Sequence, residues 1–387
     1  MKIVHICTTG PWGEQYAYQE NLLPHYHRVM GHDVTILAPV YSLIGYGKEG
    51  VLLPGTSVLP DGIRLIRLAP LIKNILFDSH LHLVKGMRKV LLEEKPDLLF
   101  VHDVCSFNYL CLSGIKKKIP GVKIVFDNHG DYINSLHSPL TRFLHKVVYK
   151  HLLTPRLIKI AEWFYGVTPS RCTFLKEVYG VPDEKIKLLV MGADDEKMML
   201  NHKEQLRKEV RLRNGIKDDD FLIVTGGKID RRKNIHVLAH AVNALDRKNV
   251  KLLIFGNISD EMQPFFDAEK SSNIITIGWT NSEKVYELFY AADLIVFPGL
   301  HSVLWEQAVA SKTPCAFSKM EGFEHVNVND NCILMTGKND SYYREMLNDL
   351  LMDEGQYNKL KTNSNSDATE QFYYSRIARQ VLIDLGL

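Results

Sequence analysis

The sequence predicts an α/β protein with two Rossmann-like, doubly wound parallel-sheet domains that face each other across a cleft. The chain has 387 residues, 45% hydrophobic and 24% charged, which is the makeup of a globular protein longer than one typical domain. Short β-branched runs alternate with helical stretches, as in parallel sheets covered on both faces. Ligands of such sheets bind at the carboxyl ends of the strands, so we expect the functional site in the cleft.

The predicted strands are spread over both halves of the chain. Each is a short run rich in Val, Ile, Leu and Phe. Between two strands of the second half, Ile235, Leu238 and Val242 fall on one helical face. The predicted strands are 2–7, 33–38, 64–68, 97–102 and 122–127, followed by 221–225, 251–255, 273–277, 293–297 and 314–317.

The domain boundary is predicted near residues 193–196. A strand-like run over 186–190 ends there in a turn rich in Gly and Asp, before a charged segment. We therefore expect an N-terminal domain over 1–194 and a C-terminal domain over 195–367.

Charge and cysteine content argue against several classes of function. Net charge is only +2, and no basic stripe suited to general nucleic-acid binding is found. The six cysteines are scattered without a C-x-x-C pair, so the sequence indicates neither a disulfide framework nor a metal site. The apolar segments are too short for a signal peptide or a membrane span, so we expect a cytoplasmic protein.

A first candidate site follows the strand that opens the second half. Gly226 and Gly227 come directly after it, and Lys228 and Lys233 stand where a helix begins. Glycines let backbone approach a phosphate closely, and two lysines can straddle a diphosphate. The alternative is a solvated basic turn.

A second candidate site follows the strand that ends at Phe297. Pro298 and Gly299 form a turn, and Glu306 lies about one turn inside the next helix. A carboxylate there could accept both hydroxyls of a ribose. The alternative is a first-turn glutamate that stabilises the helix dipole.

The order of these motifs resembles the retaining glycosyltransferases of the GT-B fold, family 4 of the sequence classification, formerly called group 1. The C-terminal half of that family typically reads G-R-L-x-x-x-K-G, then a strand ending in glycine, then a base-pocket glycine, then E-x7-E. The corresponding segments here are 227–234, 254–257, 275–280 and 305–317. Comparable segments occur in the first half, so the resemblance covers nearly the full length.

The resemblance implies roles for residues of the second domain. Lys228 and Lys233 would hold the donor diphosphate and stabilise charge in catalysis, with Gly227 beside them. Gly278 and Trp279 would border the base, and Glu306 would bind the ribose. Lys228 stands where arginine is usual. A planar guanidinium, which can bind phosphate through two N–H groups, is thus replaced by an ammonium, which is a point charge.

One position departs from the family pattern. The first glutamate of E-x7-E is missing, because Pro298 occupies its place. The loop looks shortened, so we expect donor contacts from Gly299, His301, Ser302 and Val303 instead.

In the first domain, two further segments match the family. The loop after the first strand offers Gly10 and Gly13, where the family brings backbone against the donor phosphates or the acceptor; the alternative is an ordinary βα turn. His129 stands just past a strand end, where the family has a histidine that faces the reacting sugar. We predict that His129 is catalytic by positioning and polarising. The resemblance also implies a C-terminal helix over 368–387 that returns to the first domain.

The segment 141–163 is basic and amphipathic. Five cationic side chains lie among apolar residues, without an acid before Glu162. Such a stretch could lie on the cytoplasmic face of an anionic membrane. The alternative is a pair of ordinary surface helices. The cations are Arg142, Lys146, Lys150, Arg156 and Lys159.

The resemblance therefore predicts a retaining hexosyltransferase that moves a sugar from a nucleotide-sugar to a glycan or lipid-linked acceptor in cell-surface polysaccharide synthesis. We expect a UDP- or GDP-sugar as donor, no cofactor and no metal, because no Asp-x-Asp stands at a strand end. Two alternatives stay open. One is a GT-B protein that binds nucleotides but has lost transfer, and the other is a sugar-nucleotide epimerase, which needs acid and base groups beside the sugar carbon.

Overall fold

The computed structural model describes residues 1–14, 16–43, 49–71 and 83–387. It divides into two compact units, which are described separately. Unit 1 comprises Met1–Met191 and Ile377–Leu387, and unit 2 comprises Gly192–Arg376. Each unit contains a parallel sheet with helices, which confirms the predicted fold class of two α/β domains.

Unit 1 is built on an eight-stranded sheet with the order β10-β9-β8-β7-β1-β2-β6-β5. All neighbouring pairs are parallel except β5 with β6. The strands that follow β1 are added first on the β2 side and then, from β7 onward, on the opposite side of β1. The topological switch point therefore lies between β1 and β7. The strands are β1 Lys2–Ile6, β2 Asp33–Pro39, β3 Tyr41–Leu43, β4 Glu49–Val51, β5 Gly55–Val58, β6 Arg64–Leu68, β7 Leu98–Val101, β8 Lys123–Asn128, β9 Trp163–Gly166 and β10 Ile186–Leu188; β3 and β4 form a separate antiparallel pair.

The helices of unit 1 pack against a core of aliphatic and aromatic side chains. A helical run crosses residues 139–158, where a π-helical segment, Leu144–Leu153, joins two short α-helices. Pro169 opens a helix whose N-cap Thr168 accepts a hydrogen bond from the backbone N–H of Arg171. The helices are α1 Gln19–Val29, α2 Met87–Glu94, α3 Leu112–Lys118, α4 Pro139–Phe143, α5 Thr154–Ile158 and α6 Pro169–Tyr179.

Unit 2 is built on a six-stranded parallel sheet with the order β13-β12-β11-β14-β15-β16. Numbered within the unit, this order is 3-2-1-4-5-6, the doubly wound arrangement whose switch point lies between its first and fourth strands. The strands are β11 Phe221–Gly226, β12 Val250–Phe255, β13 Ile274–Gly278, β14 Leu294–Phe297, β15 Cys315–Ser318 and β16 Cys332–Met335.

The helices of unit 2 pack against a core of aliphatic and aromatic side chains. The predicted apolar face of the helix after β11 is buried, since Ile235, Leu238 and Val242 are at most 1% exposed. The helices are α7 Lys203–Arg213, α8 Ile235–Asn243, α9 Gln263–Ala268, α10 Ser282–Ala291, α11 Leu304–Ala310, α12 Asp340–Met352 and α13 Glu354–Ser364.

The last helix, α14 Tyr374–Leu385, ends within unit 1. Its Asp384 accepts hydrogen bonds from Tyr165 and Lys187 at 3.0 and 2.7 Å, and the Asp384 carbonyl accepts one from Trp163 at 2.9 Å. These partners lie on β9 and β10, so the end of the chain is fixed to that edge of the sheet. Within the described ranges, no helix is both long enough and apolar enough to cross a membrane.

Candidate functional site

In unit 1, the predicted histidine lies at the carboxyl end of β8. His129 follows the last residue of the strand and its side chain is 29% exposed. Its Nε2 donates to Asp127 Oδ2 at 3.3 Å, and its backbone carbonyl accepts from Arg171 Nε at 2.9 Å. His129 is therefore held by a buried acid on one side and by α6 on the other.

Asp127 is the centre of this arrangement. It is fully buried and its carboxylate only accepts hydrogen bonds, from His102, His129, Gln19 and the backbone N–H of Asp103. Burial alone would raise the pKa of Asp127, but the two imidazoles and their hydrogen bonds lower it well below its ordinary value. The same pairing overcomes burial at His129 and raises the pKa of His129 to about 9.

The two glycines predicted in this unit lie between β1 and α1. Gly13 is buried and its carbonyl accepts a hydrogen bond from Asn21 at 2.9 Å. Gly10 is half-buried, and a Cβ added there would meet nothing within 4 Å. Between them, Trp12 is buried against Glu20, whose carbonyl accepts from the indole at 3.4 Å. The loop is thus anchored by Trp12 and Gly13 and leaves open space beside Gly10.

In unit 2, glycines bring the carboxyl ends of three strands together. Gly227 and Gly256 have φ of 108° and 105°, in the region that favours glycine. A Cβ on Gly256 would overlap the carbonyl of Gly227, and the Gly256 N–H donates to Gly278 at 2.6 Å. The predicted site glycines after β11 and β13 are therefore connected through the end of β12.

The two predicted lysines differ in their surroundings. Lys228 is exposed, and no hydrogen bond or ion pair is found for it in the described part of the chain. Lys233 is half-buried, and its Nζ donates to the backbone carbonyls of Leu300 and His301 at 2.8 and 3.5 Å. Burial lowers the pKa of Lys233. Lys228 is thus a free cation, whereas Lys233 is tied to the loop after β14.

That loop packs directly against the segment that carries Lys233. A Cβ on Gly299 would overlap the backbone of Arg232 and Lys233, and the N–H of Leu300 donates to the Arg232 carbonyl at 3.2 Å. The loops after β11 and β14 therefore touch at the switch point of the sheet. Ser302 and Val303 are half-buried and directly precede α11; their carbonyls accept from the backbone N–H groups of Trp305 and Gln307.

Glu306 lies in α11 and is completely buried. Its Oε1 accepts hydrogen bonds from His301 Nε2 at 2.8 Å and His325 Nε2 at 2.9 Å. Burial would raise its pKa, but the charges and hydrogen bonds of these imidazoles lower the pKa of Glu306 to about 2. Among the described residues, Glu306 Oε2, His325 Nδ1 and Trp305 Nε1 have no hydrogen-bond partner.

Trp279 follows β13 and is 55% exposed. Gly278, the last residue of that strand, has a φ of 71°. The positive φ of Gly278 thus lies directly before the exposed indole. An exposed aromatic face at a strand end is suited to stacking on a base.

The structure thus gathers the predicted residues of unit 2 at one sheet edge. Gly227, Lys233 and Gly299 are in contact through their segments, and a Cβ on Gly227 would lie 3.0 Å from Leu304 in the helix of Glu306. Gly10, Gly13 and His129 belong to the corresponding edge of unit 1.

Three functional-site residues were not predicted from the sequence: Asp127, His102 and His325. The available signal for two of them was position, because His102 and Asp127 each end a predicted strand; the pairing of Val101 with Phe126, which places them side by side, is seen only in the structure. His325 lies in the short 3-10 turn Glu324–Val326, beyond the end of β15 at Ser318, and nothing in its local sequence pointed to the site.

Two side-chain groups have the composition of metal sites. His301, Glu306 and His325 form one, and His102, Asp127 and His129 form the other, with possible ligand atoms within 4.8 Å of one another. Ligands of a tetrahedral zinc ion with bonds of about 2.0–2.2 Å would lie roughly 3.3 Å apart. The contacts of 2.8 to 2.9 Å to Glu306 and His102 are hydrogen-bond lengths and are shorter than this separation, whereas His129 Nε2 lies 3.3 Å from Asp127 Oδ2. We describe both groups by their hydrogen bonds.

Comparison with known proteins gives two family matches that together span most of the chain. The model described as Glycosyltransferase Family 4 matches residues 17–197, and the model described as Glycosyl transferases group 1 matches residues 206–367.

Individual proteins match over similar lengths. An uncharacterized glycosyltransferase of Methanocaldococcus jannaschii is 20% identical and covers 91% of this chain and 89% of its own. A UDP-Gal:alpha-D-GlcNAc-diphosphoundecaprenol alpha-1,3-galactosyltransferase of Escherichia coli is 24% identical over 77% of this chain and 74% of its own. The crystal structure of HepE from Anabaena in complex with UDP and glucose superposes with a TM-score of 0.66 at 14% identity, covering 100% of this chain and 99% of that one.

Proposed function

Because this chain belongs to the family 4 glycosyltransferases of the GT-B fold, formerly called group 1, we propose that it transfers a sugar with retention from a nucleotide-sugar to a lipid-linked acceptor in cell-surface polysaccharide synthesis. The observation that carries the proposal is the edge of the unit 2 sheet at its switch point. A free lysine, a tethered lysine and bare glycine backbone meet there beside a buried carboxylate.

The positive charge at this edge suits a diphosphate. Lys228 has no ionic partner in the described residues and is accessible to a ligand. Lys233 is fixed by two carbonyls, and an ammonium group has three donors, so one donor is left for phosphate. Breaking the bond from the anomeric carbon to the diphosphate leaves negative charge on the leaving oxygens, which these groups would stabilise without a metal.

The ribose contact is proposed at Glu306. Its Oε1 is held by two imidazoles, so Oε2 is the oxygen that remains for a hydroxyl. Since Glu306 is 0% exposed, ribose binding requires the half-buried loop 299–303 to shift. Trp279 would stack on the base, and His301, Ser302 and the backbone from Gly299 to Val303 would meet the sugar.

His129 would position and polarise the reacting sugar. The pKa of His129 is raised to about 9 by Asp127, so the ring is cationic at neutral pH. A fixed cation beside a sugar can hold a hydroxyl or a phosphate oxygen, and the leaving phosphate would then take the proton of the acceptor. The histidine does not attack in this scheme, which is consistent with its hydrogen bond to a buried acid.

The first experiment identifies the nucleotide. Melting temperature is measured with UDP, GDP and ADP at equal concentrations, because a ligand that binds only the folded state raises apparent stability. We expect UDP or GDP to raise it and Lys233→Ala to abolish the rise. The donor-site proposal is wrong if no nucleotide shifts the melting temperature at concentrations of several millimolar.

The second experiment tests Glu306 by a double comparison. The wild type and Glu306→Gln are each titrated with the nucleotide identified above and with its 2′,3′-dideoxy form. A hydrogen bond to a charged group contributes about 1.5–3 kcal/mol, so the wild type should prefer the hydroxylated nucleotide roughly 10- to 100-fold. The variant should lose most of this preference. If Glu306→Gln weakens both ligands by the same factor, Glu306 acts on the fold of the loop and not on the ribose.

The acceptor is proposed to reach the protein at a membrane surface. Four side chains of the run 139–158 form an exposed apolar face, at 43% to 57% exposure, among the basic residues predicted from the sequence. The E. coli relative is named for an acceptor carried on diphosphoundecaprenol, a lipid. These observations favour a lipid-linked acceptor over a free glycan. The exposed apolar face consists of Leu140, Phe143, Val147 and Leu152.

Vesicle sedimentation tests this contact. The protein is mixed with phosphatidylcholine vesicles that contain or lack phosphatidylglycerol. We expect binding to the anionic vesicles, weakened about tenfold by Leu140→Ser combined with Phe143→Ser because apolar burial is lost. Leu212→Ser, at an 83% exposed apolar site of unit 2, is the matched control and should change nothing. Equal binding of the wild type to both vesicles, or none, contradicts the membrane proposal.

A nucleotide-binding protein without transfer activity is the second candidate. It is favoured by the burial of Glu306 between two histidines, together with the missing first glutamate at Pro298. A transferase usually leaks its donor to water slowly. A panel of nucleotide-sugars is therefore tested for hydrolysis, and release of sugar from one of them that Lys228→Ala abolishes supports the enzyme.

A further inference from the structure

A line of hydrogen-bonded imidazole rings crosses the core of unit 1. His102 Nδ1 bonds Asp127 at 2.9 Å, His102 Nε2 bonds His5 Nδ1 at 3.1 Å, and His5 Nε2 bonds His27 Nδ1 at 3.0 Å. The line ends at the Ala378 carbonyl, 3.1 Å from His27 Nε2. All three rings are buried, at 0% to 2% exposure. We call His102, His5 and His27 the histidine chain.

Counting protons shows that neutral rings cannot complete this chain. Two ring–ring bonds and one bond at each end make four hydrogen bonds. Each needs one N–H, because the Asp127 carboxylate and the Ala378 carbonyl at the two ends can only accept. Three neutral imidazoles supply three N–H groups. One proton is missing from the neutral chain.

At one end of the histidine chain, Asp127 is an ionised acceptor. Asp127 Oδ2 faces His102, His129 and Gln19 Nε2, and Asp127 Oδ1 accepts from the backbone N–H of Asp103 at 2.8 Å. All of these partners donate, so Asp127 is ionised. A neutral chain would leave one pair of facing lone pairs in the core, which costs about 1–3 kcal/mol for each unsatisfied group.

We propose that the histidine chain holds one proton more than three neutral rings do, that this proton resides on His102 beside Asp127, and that the three histidines are positioning residues for Asp127 and His129. His102 is then an imidazolium that donates to both Asp127 and His5. His5 and His27 are neutral Nε2–H tautomers that donate onward, the last to Ala378. Each of the four hydrogen bonds then has one donor and one acceptor.

Burial supports this placement of the charge. Desolvation, followed by the neighbouring imidazoles, lowers the pKa of His5 well below its ordinary value. Desolvation lowers the pKa of His27 to about 4. These two rings are thus neutral at physiological pH, and the ring that touches the carboxylate is left to carry the charge.

The other charged groups around the chain come from several elements. Asp103 and His129 lie beside Asp127, and Glu20 and His32 belong to or follow α1. Cys7, which follows β1, stays a thiol because burial raises its pKa well above the ordinary value. His32 meets His27 edge to face at 6.4 Å without a hydrogen bond. Among described residues that hydrogen-bond the chain, Asp127 is the acid.

The charge has a consequence for His129. A cationic His102 neutralises Asp127 from the buried side and fixes its Oδ2, on which His129 also rests. The protonation of His129 then depends on rings that do not touch a ligand. This consequence for sugar transfer rests on the proposed function, whereas the proton count rests on unit 1 alone.

Imidazole nitrogen NMR on the full-length protein tests the proposal without any ligand. The protein is labelled with ¹⁵N-histidine, and His102 is assigned by the signals that vanish in His102→Gln. At pH 8 we expect both His102 nitrogens to be protonated, and His5 and His27 to be neutral. A His102 ring with one unprotonated nitrogen at pH 8 overturns the proposal, and this measurement on the wild type decides by itself.

A matched pair of variants tests the count. Glutamine at position 27 can accept from His5 and donate to Ala378, so His27→Gln leaves three hydrogen bonds for two rings and keeps the extra proton. Leucine does neither, so His27→Leu leaves two hydrogen bonds that two neutral rings complete. We expect His102 to stay an imidazolium in His27→Gln and to become neutral in His27→Leu, with an upward shift of the His129 titration only in the leucine variant.

The same data give the outcomes against the proposal. If His102 stays doubly protonated in His27→Leu, the Asp127 carboxylate is sufficient to keep His102 cationic. The histidine chain then does not set the position of Asp127. If His129 titrates alike in all three proteins, the chain does not act on His129. A nucleotide that fails to bind would weaken the proposed function and leave the NMR result unchanged, so the two failures are distinguishable.

Discussion

Glu306 is a buried charge that two neighbours keep ionised. His301 and His325 hold the pKa of Glu306 at about 2 in spite of complete burial. The carboxylate is thus paired within the protein and leaves the lysines of the same edge available to an anionic ligand. Of the two lysines only Lys228 is exposed. Most of the discrimination for an anionic ligand should reside in that side chain.

Replacing Lys228 should therefore reduce nucleotide affinity without affecting the fold. Because the side chain is exposed and makes no ion pair with any described residue, Lys228→Ala should leave the melting temperature unchanged. Loss of a phosphate contact should weaken the diphosphate by about 10- to 100-fold, and Lys228→Arg should restore binding. Calorimetric titration of both variants measures this.

The control for Lys228 is another exposed lysine of the same unit. Lys208 lies on α7, away from the strand ends. Lys208→Ala removes the same net charge and should leave affinity within a factor of about two, since screened charges at a distance contribute little. Equal losses from Lys208→Ala and Lys228→Ala would mean that only net charge matters.

The pairing of His129 with Asp127 should make stability depend on pH in the alkaline range. The pKa of His129 is raised to about 9, so its pairing stabilises the fold fully below the ordinary histidine value of about 6.5 and is lost as pH rises through 9. The free energy of unfolding in urea is measured for the wild type and His129→Gln at pH 6 and pH 10. The wild type should exceed the variant at pH 6, and the difference should shrink at pH 10. A difference independent of pH would contradict the assignment.

At the scale of elements, two loops of unit 2 act as one structure. Gly299 lies against the backbone of Arg232 and Lys233, and Lys233 binds the carbonyls of Leu300 and His301. The segment proposed to bind phosphate and the segment proposed to meet the sugar are thus joined to each other by direct contacts. Lys233 is both a candidate ligand contact and the link between them.

Removing that link should loosen the loop after β14. Lys233→Ala breaks the 2.8 Å hydrogen bond from a charged group to the Leu300 carbonyl, which contributes about 1.5–3 kcal/mol, so local opening of residues 299–303 should increase roughly 10- to 100-fold. Hydrogen exchange of peptides over this loop measures it. Lys228→Ala is the internal control and should exchange like the wild type. An unchanged loop in Lys233→Ala would show that the contacts of Gly299 hold it alone.

The elements also show what sequence pattern can and cannot predict. The strands predicted over 221–225 and 293–297 are found at 221–226 and 294–297, because parallel strands covered on both faces are continuous apolar runs. The strand β9 at 163–166 was missed because its residues, Trp-Phe-Tyr-Gly, end a basic amphipathic stretch and read as part of it. The strand β16 at 332–335, Cys-Ile-Leu-Met, holds a single β-branched residue. Intrinsic strand propensity predicts poorly where packing against neighbouring strands decides the conformation.

In the candidate sites, residues that are adjacent in sequence could be predicted as a group. Residues that meet only through the packing of distant segments could not. Glycines and lysines beside β11 are adjacent in sequence, so their grouping could be read directly. His5 and His102 are 97 positions apart, and His5 and His27 are 22 apart. Their contact depends on the order of β1 and β7 in the sheet and on the packing of α1, which a single sequence does not state. The histidine chain was therefore invisible before the fold was known.

At the scale of the whole molecule, unit 1 is discontinuous in sequence. Its residues come from Met1–Met191 and from Ile377–Leu387. The second stretch supplies Ala378, which ends the histidine chain, and Asp384, which accepts from three side chains of β9 and β10. The core of this unit is closed only when the last helix has docked.

A fragment test follows from this. Residues 1–191 alone should unfold at lower temperature than unit 1 does in the full chain, and a synthetic peptide of residues 374–387 should raise the melting temperature of the fragment by mass action. The same peptide with Asp384→Ala lacks the carboxylate contacts and should stabilise less. If neither peptide has an effect, the last helix contributes little to the stability of unit 1.

This arrangement sets the order in which the protein is completed during synthesis. Domains usually fold from the amino end as the ribosome releases them. Here all residues of unit 2, Gly192–Arg376, are available for folding once residue 376 has emerged. Unit 1 still lacks its residues Ile377–Leu387 at that point, although its first 191 residues were made earlier. The nascent chain thus finishes its later half before its earlier half. A stalled or prematurely terminated polypeptide would carry an intact second unit beside an unfinished first.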